Sequence, residues 1–282
     1  MKRVAVISDI HGNLEALKVV LRDIKKRKIE KIICLGDVIG YGPDPEECLK
    51  MLLQQDNITF IIGNHESMFI GETSADKCSQ LGRDSQKWTS AQLDGSYKQV
   101  INTNFKKSYE DEMLLYTHAS YPFNLDWKYS YSPDTYKQNF DSQKLNEKVK
   151  FVFLGHSHRP QIFALTNGQF KQVITSVNMD MDFIYPLQND VVYCVNVGSV
   201  GQARDGVTKA CYVQLSYDTK KVQVSYKRLK YMSFITYFKI IERELGGKTA
   251  SFLIQEKWRK KLYEYTYNWG KWFFRILFKA KI

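Results

Sequence analysis

Nowhere in the 282 residues is there an apolar run of about 18, the length that a membrane-crossing helix needs, so no span is expected. The basic N-terminus leads into an apolar run that stops at Ser8-Asp9, too short for a signal peptide. Cysteine is sparse: five residues, odd in number, scattered, and never paired as C-x-x-C. Cys34, Cys194 and Cys211 lie inside apolar runs, where a reduced thiol acts as a small hydrophobe. These features argue against a disulfide framework or a cysteine zinc site and predict a reducing, cytoplasmic setting. Only six prolines interrupt the chain, and neither an internal repeat nor a low-complexity linker is visible. Histidine is scarce too, at five residues.

Lysine and arginine outnumber aspartate and glutamate 41 to 30, a net charge of +11. That balance leans toward polyanions: phosphorylated ligands, nucleic acid or anionic lipid. At 44% hydrophobic and 25% charged, the sequence can bury a sizeable core.

RVAVIS (3–8), KIICL (31–35) and TFIIG (59–63) read as strands. Leu14, Leu17, Leu21 and Ile24 have helical spacing and predict a helix over about 13–28. Pro45 opens a second helix, to about Gln55, at the first-turn position that suits proline. This alternation predicts a mostly parallel sheet with covering helices. Residues 66–110 are polar and mostly helical in pattern. MLLYTH (113–118) and FVFLGH (151–156) are two further buried strands, separated by an aromatic loop. Beyond residue 160, alternating segments predict antiparallel sheet, and from Ser233 the pattern turns helical to the end.

The polar residues at the strand tips carry the chemistry. Successive strands end in Asp9-Ile10-His11, Gly36-Asp37, Gly63-Asn64-His65-Glu66, His118 and Gly155-His156-Ser157-His158. All five histidines are placed this way. In an open α/β sheet, ligands bind outside the carboxyl ends of the strands. Imidazole together with carboxylate suits first-row transition metals. On extended chain, D-x-H and H-x-H pairs point both side chains to one side. Eight such groups exceed the needs of one ion, and two ions sharing a carboxylate fit them better.

In order and spacing this set resembles the calcineurin-like metallophosphoesterase superfamily. GDVIGYGPDPEE (36–47) and NVGSVGQARDG (196–206) make the chain similar to its small YfcE-like bacterial and archaeal members. The resemblance implies an α/β fold: a four-layer α/β/β/α sandwich with two mixed β-sheets over residues 1–254. It implies a first metal on Asp9, His11 and His158, a second on Asn64, His118 and His156, and Asp37 between them. Two divalent transition metals follow, with Mn as the leading expectation and Fe, Zn or Ni as alternatives. His65 would bind a phosphoryl oxygen or protonate the leaving group, and Glu66 would orient His65. Tyr41, Asn196, Ser199 and Arg204 are the expected substrate-binding residues. For Arg204 a structural ion pair is the alternative, and for Tyr41 a packing role. Val197 and Ala203 replace the two prolines usual in the family's loop, which puts the loop's substrate contacts in question.

The implied activity is metal-dependent hydrolysis of phosphodiesters or phosphomonoesters of small or nucleotide-like molecules by an activated hydroxide. The alternatives are a protein serine/threonine phosphatase, a nuclease, or a metal-binding scaffold without turnover.

Residues 255–282 form a separate, basic, aromatic and helical tail. Residues 256–282 carry eight Lys/Arg against two Glu, and three of the five tryptophans. This composition suits an interfacial helix on an anionic membrane, a hairpin packed on the domain or on a second copy in a homo-oligomer, or, less well, nucleic acid. It also allows a peripheral membrane location.

Overall fold

The β-branched start of the chain forms β1 (Lys2–Ile7), whose alternation sends Ala5 and Ile7 to one face and Val4 and Val6 to the other. The computed structural model describes residues 1–175, 177, 179–187, 190–245 and 252–253. After β1 come α1 (Leu14–Lys26), β2 (Lys31–Cys34), α2 (Pro45–Leu53), β3 (Ile58–Ile61), α3 (Asn64–Ile70), α4 (Gln80–Gln92) and α5 (Ser96–Asn104). They are followed by β4 (Phe105–Lys106), β5 (Ser108–Asp111), β6 (Leu114–Thr117), α6 (Pro133–Asn139), β7 (Phe151–Leu154), β8 (Gln161–Thr166) and β9 (Gln169–Ile174). The last elements are β10 (Met181–Pro186), β11 (Val191–Asn196), β12 (Ala210–Tyr217), β13 (Lys221–Leu229) and α7 (Ser233–Glu242).

One sheet has the order β10-β13-β12-β1-β2-β3-β4 and the other β5-β6-β7-β11-β8-β9. Both are mixed. β1 to β4 run parallel, and β12, β13 and β10 extend that sheet antiparallel. In the second sheet β6, β7 and β11 are parallel, flanked by antiparallel β5, β8 and β9.

The inner faces meet in an apolar layer that includes Val4, Val6, Ile33 and Ile61 from one sheet and Tyr116, Phe151, Phe153 and Val195 from the other. On the outside of the first sheet, Ala5, Ile7 and Cys34 pack on Leu17, Val20 and Ile24 of α1 and Leu49 and Leu52 of α2. Outside the second, Val152, Leu154 and Phe163 pack on Tyr136 of α6 and Phe140. This is the expected four-layer sandwich. Each fully buried Leu, Val or Phe in these layers contributes about 1.5–3 kcal/mol.

Register aligns the strand tips. Ile7 lies opposite Cys34 and Cys34 opposite Phe60, so β1, β2 and β3 end level. Tyr116 lies opposite Phe153 and Leu154 opposite Asn196, so β6, β7 and β11 also end level.

Several elements differ from the sequence expectation. The polar stretch after Asn64 breaks into three helices, because Gly71 closes α3 in a left-handed turn (φ 89°). β4 and β5 close the edges of the two sheets, and α6 lies in the aromatic loop, where Ser132 caps it and Pro133 opens it. β10 was not anticipated; among the described residues it pairs with β13 alone, at a sheet edge. β11 is not purely antiparallel, being parallel to β7. Among the described residues, the C-terminal helical pattern forms α7, which ends at Glu242 with Arg243 as its cap. The predicted tail over 255–282 lies outside the described residues. Among the described residues, no helix is long and apolar enough to cross a membrane.

Candidate metal centre

The five strand-end segments converge. Asp9, His11, Asp37 and His158 place one ligand atom each within 4.8 Å of one another, and so do Asp37, His118 and His156. Asp37 belongs to both groups, and every one of these side chains is buried. His158 joins Asp9 and His11, whereas its near neighbour His156 joins His118.

The backbone here is not extended. Asp9, His11, Asp37, Tyr41, His156 and His158 all have φ between 48° and 63°. The D-x-H and H-x-H segments are left-handed turns, so strand alternation is not what aims their side chains. Strain of this kind persists only where surrounding contacts fix it. Asp9 Oδ2 accepts the His156 N–H (3.0 Å), Asp9 N–H donates to Gly36 O (3.0 Å) and His11 N–H to Asp37 O (2.9 Å). Gly63 is required as well: a Cβ there would collide with the Asp37 carboxylate.

Each histidine of the two groups spends one nitrogen on a backbone carbonyl. His11 Nδ1 faces Ile39 O (3.1 Å), His118 Nδ1 faces Leu35 O (2.7 Å) and His158 Nδ1 faces Gln202 O (2.6 Å). His156 is reversed, with Nε2 on Trp127 O (2.8 Å), which leaves Nδ1 for the site. Carbonyls accept only N–H, so in the neutral ring the other nitrogen presents a lone pair. His11 Nε2 and His158 Nε2 nevertheless lie 3.1 Å apart. Two lone pairs at that distance repel, and a shared cation removes the repulsion. Asp9 Oδ1, Asn64 Oδ1 and His118 Nε2 are buried without a hydrogen-bond partner. A donor set this dense and this unsatisfied fits metal ions.

The electrostatics agree. Burial pushes His11 well below the usual imidazole range and His156 down to about 3. Burial also lowers His158, with the Arg204 charge adding to the effect. His118 is the exception: burial lowers it, but the charges of Asp37 and Asp9 outweigh burial and bring it to about 9. Its Nε2 stands 3.4 Å from Asp37 Oδ2. Burial favours a neutral Asp37, yet His118 and His65 hold it well below the carboxylate range. Asp9 is likewise held low by His158 against its burial. The anionic carboxylates and the neutral rings of His11, His156 and His158 are in the form that binds metal, and a cation would displace the proton of His118.

Glu66 does not orient His65, and it is not exposed. It is fully buried, and its carboxylate accepts N–H groups from Asp37 (2.8 Å), Val38 (2.8 Å), Ile39 (3.2 Å) and Gly63 (3.0 Å). It therefore builds the loop that presents Asp37. Burial and the Asp37 charge push it up to about 7, against these four donors.

His65 stands beside the two groups. Its ring packs edge-on to His11 (5.0 Å between centroids) and Tyr41 (4.7 Å), and Nδ1 is buried without a partner. Burial lowers its pKa. Gly40 allows this approach, since a Cβ there would strike the imidazole.

Arg204 has no carboxylate partner among the described residues. Its guanidinium donates to Tyr129 Oη (3.2 Å) and Gln202 Oε1 (2.9 Å), while Nε is buried and unpartnered. It is Asp205 that forms an ion pair, with Arg228. The ion-pair alternative for Arg204 is thus replaced by an un-neutralised cation above the site.

Asn196 and Ser199 lie beneath the site and do not line it. Asn196 Nδ2 donates to Gly155 O (2.6 Å) and Ser157 Oγ (2.9 Å), and its Oδ1 accepts from Gly198 N–H (3.0 Å). Ser199 Oγ donates to Asp9 O (2.8 Å) and accepts from Gln202 N–H (2.7 Å). Both side chains are engaged in holding the ligand loops, where the sequence reading expected them to bind substrate. The sequence reading also passed over Trp127 and Tyr129. Trp127 fixes His156 through its carbonyl, and Tyr129 stacks on the His156 ring at 4.3 Å. The only sequence signal was the aromatic density of that loop.

Comparison with known proteins agrees with this geometry. The model of the calcineurin-like phosphoesterase superfamily domain matches residues 1–220. An uncharacterized protein of Methanocaldococcus jannaschii is 34% identical over 245 residues, 86% of this chain and 93% of its own. The crystal structure of a metallophosphoesterase from Sphaerobacter thermophilus superposes with a TM-score of 0.70 at 27% identity, covering 89% of this chain and 98% of that one. The YfcE phosphoesterase of E. coli is a looser likeness, with a TM-score of 0.43 and 19% identity over 77% of this chain and 89% of that one.

Proposed function

Because the chain belongs to the calcineurin-like phosphoesterase superfamily, we propose that it hydrolyses phosphate esters at a two-metal centre. The observation that carries this reading is Asp37, shared by two groups of buried ligands, among which Asp9 Oδ1 and His118 Nε2 have no hydrogen-bond partner. Asp9, His11 and His158 would hold one divalent cation and Asn64, His118 and His156 the other, with Asp37 between them. Cations bound there would offset phosphoryl charge and make a water acidic enough to act as the nucleophile near neutral pH.

The chain's own groups do the rest. The carbonyls of Leu35, Ile39, Trp127 and Gln202 hold the imidazoles in the metal-binding tautomer. His65 hydrogen-bonds a phosphoryl oxygen or passes a proton to the leaving oxygen. Arg204 supplies a guanidinium to the phosphoryl group, whose geometry it matches. Tyr41 packs on His11 and His65 and also faces the Arg204 guanidinium. The proposed substrates are small or nucleotide-like phosphodiesters and phosphomonoesters, and Mn²⁺ is the leading metal. A cytoplasmic setting and the domain limits 1–254 belong to the same reading.

The test is to reconstitute the full chain with Mn²⁺ and assay aryl phosphates, aryl phosphodiesters and nucleotides. Two ions per chain by elemental analysis, with hydrolysis in at least one class, are expected. One ion at saturation, or no turnover with two, overturns the proposal.

A further inference from the structure

The matched family domain ends at residue 220, yet later residues reach the metal centre. α7 is fastened to the loops that carry the ligands. Lys239 Nζ lies 2.7 Å from both Glu15 Oε1 and Asp44 Oδ2, and Arg243 pairs with Asp44 Oδ1 at 3.3 Å. Thr236 Oγ1 donates to Glu15 Oε2 (2.7 Å) and lies 3.0 Å from Asn13 Oδ1, the acceptor that caps α1. Leu253 is buried against Tyr237 and Ile240 and, with His11, Tyr41 and Gln202, lines a small recess at the site's edge. Beside it, the Phe252 ring faces the Arg204 guanidinium at 5.9 Å.

Arg204 therefore sits among three rings: Tyr41 at 5.9 Å, Tyr129 at 5.8 Å and Phe252 at 5.9 Å. Two of its nitrogens are held by Tyr129 and Gln202, and the third, Nε, is free. Aromatic faces attract a guanidinium without neutralising it. A carboxylate would fix the side chain equally well but would cancel the charge that an anion needs. Tyr41 and Tyr129 come from within the matched domain, whereas Phe252 comes from beyond it.

We propose that Phe252 is a positioning residue that completes an aromatic clamp on Arg204, so that a residue from beyond the matched domain belongs to the site for the phosphoryl group. The inference rests on the phosphoesterase reading. Phe252 sets affinity for the anionic group rather than the rate of bond cleavage, because its ring faces the Arg204 guanidinium and acts on the site through it.

The experiment measures binding of inorganic phosphate to the Mn²⁺-loaded full chain by calorimetry, together with KM and kcat for an aryl phosphate ester. Phe252→Ala should weaken phosphate binding and raise KM by roughly 3- to 30-fold, the range of a cation–π contact. kcat should change less than KM. Phe252→Leu keeps the apolar bulk without the ring and should lose affinity too, while Phe252→Tyr should retain it. In an Arg204→Ala background, Phe252→Ala should add nothing. Wild-type affinity in the Leu variant, or losses that add fully to those of Arg204→Ala, would overturn the clamp. A wild-type protein that binds phosphate but turns over nothing sinks the phosphoesterase reading alone. One that turns over an ester but binds no phosphate sinks the clamp alone.

Discussion

Glu66 and Asp37 are locked together across two loop ends. Glu66 Oε2 accepts the Asp37 N–H at 2.8 Å, and Asp37 Oδ1 accepts the amide of the adjacent His65 at 3.0 Å. One oxygen of Asp37 is thus committed to the start of α3, and Oδ2 is left for His118 (3.4 Å) and His11 (3.6 Å).

Glu66→Gln should damage this lock. The carboxamide keeps one acceptor oxygen but turns an NH₂ toward backbone N–H donors. A stability loss of about 2–3 kcal/mol is expected in urea unfolding, the scale of a charge-assisted hydrogen bond lost in the interior. Metal affinity should fall roughly 10- to 100-fold, as it does when supports of metal ligands are removed. Wild-type values for both would show that the lock is unimportant.

Asp37→Asn should abolish turnover and reduce the bound metal to about one ion per chain, because the shared oxygen loses its charge. Elemental analysis and a Mn²⁺-dependent assay read both outcomes. Full activity with two ions retained would refute the shared-ligand assignment.

His65→Ala should keep both metals and lose roughly 10²–10⁴-fold in rate, the usual scale of acid–base assistance. The loss should shrink for substrates with good leaving groups, which need little protonation. Loss of metal in this variant would instead make His65 a ligand.

Chelation should lower thermal stability. Without cations, the facing nitrogens of His11 and His158 repel one another, and Asp9 Oδ1 and Asn64 Oδ1 are buried without a hydrogen-bond partner. Restoring Mn²⁺ to about 100 times its Kd should recover about 2.7 kcal/mol. Identical melting curves with and without EDTA, on protein shown to bind metal, would contradict this.

A chain ending at Ile254 should fold, bind metal and hydrolyse a small ester, since the predicted ligands end at His158. The intact chain should sediment with anionic vesicles, less so at high salt, if residues 255–282 act as the proposed membrane-surface element. Failure of the shortened chain to fold would favour a packed hairpin. Binding of single-stranded nucleic acid without vesicle binding would favour a nucleic-acid role.

The sequence by itself determined the strands, the first helices and the ligand candidates, because these signals are local. Period-two apolar runs, Pro45 at a first turn and polar residues at five strand tips are legible within a few positions. What it could not determine is how separate segments meet. The grouping of His158 with Asp9 and His11, and of His156 with His118, was expected from the family resemblance, but only the tertiary structure shows what aims those side chains: left-handed backbone, not strand alternation. Tertiary structure turned Glu66 inward as the clasp of the Asp37 loop and engaged Asn196 and Ser199 beneath the site. Their residue types gave no hint, since a buried carboxylate or amide looks like an exposed one until its partners are known. It also brought Phe252 to Arg204 and Lys239 to Asp44. Such contacts depend on where the chain returns after β13, and that is set by the packing of two sheets rather than by any local pattern.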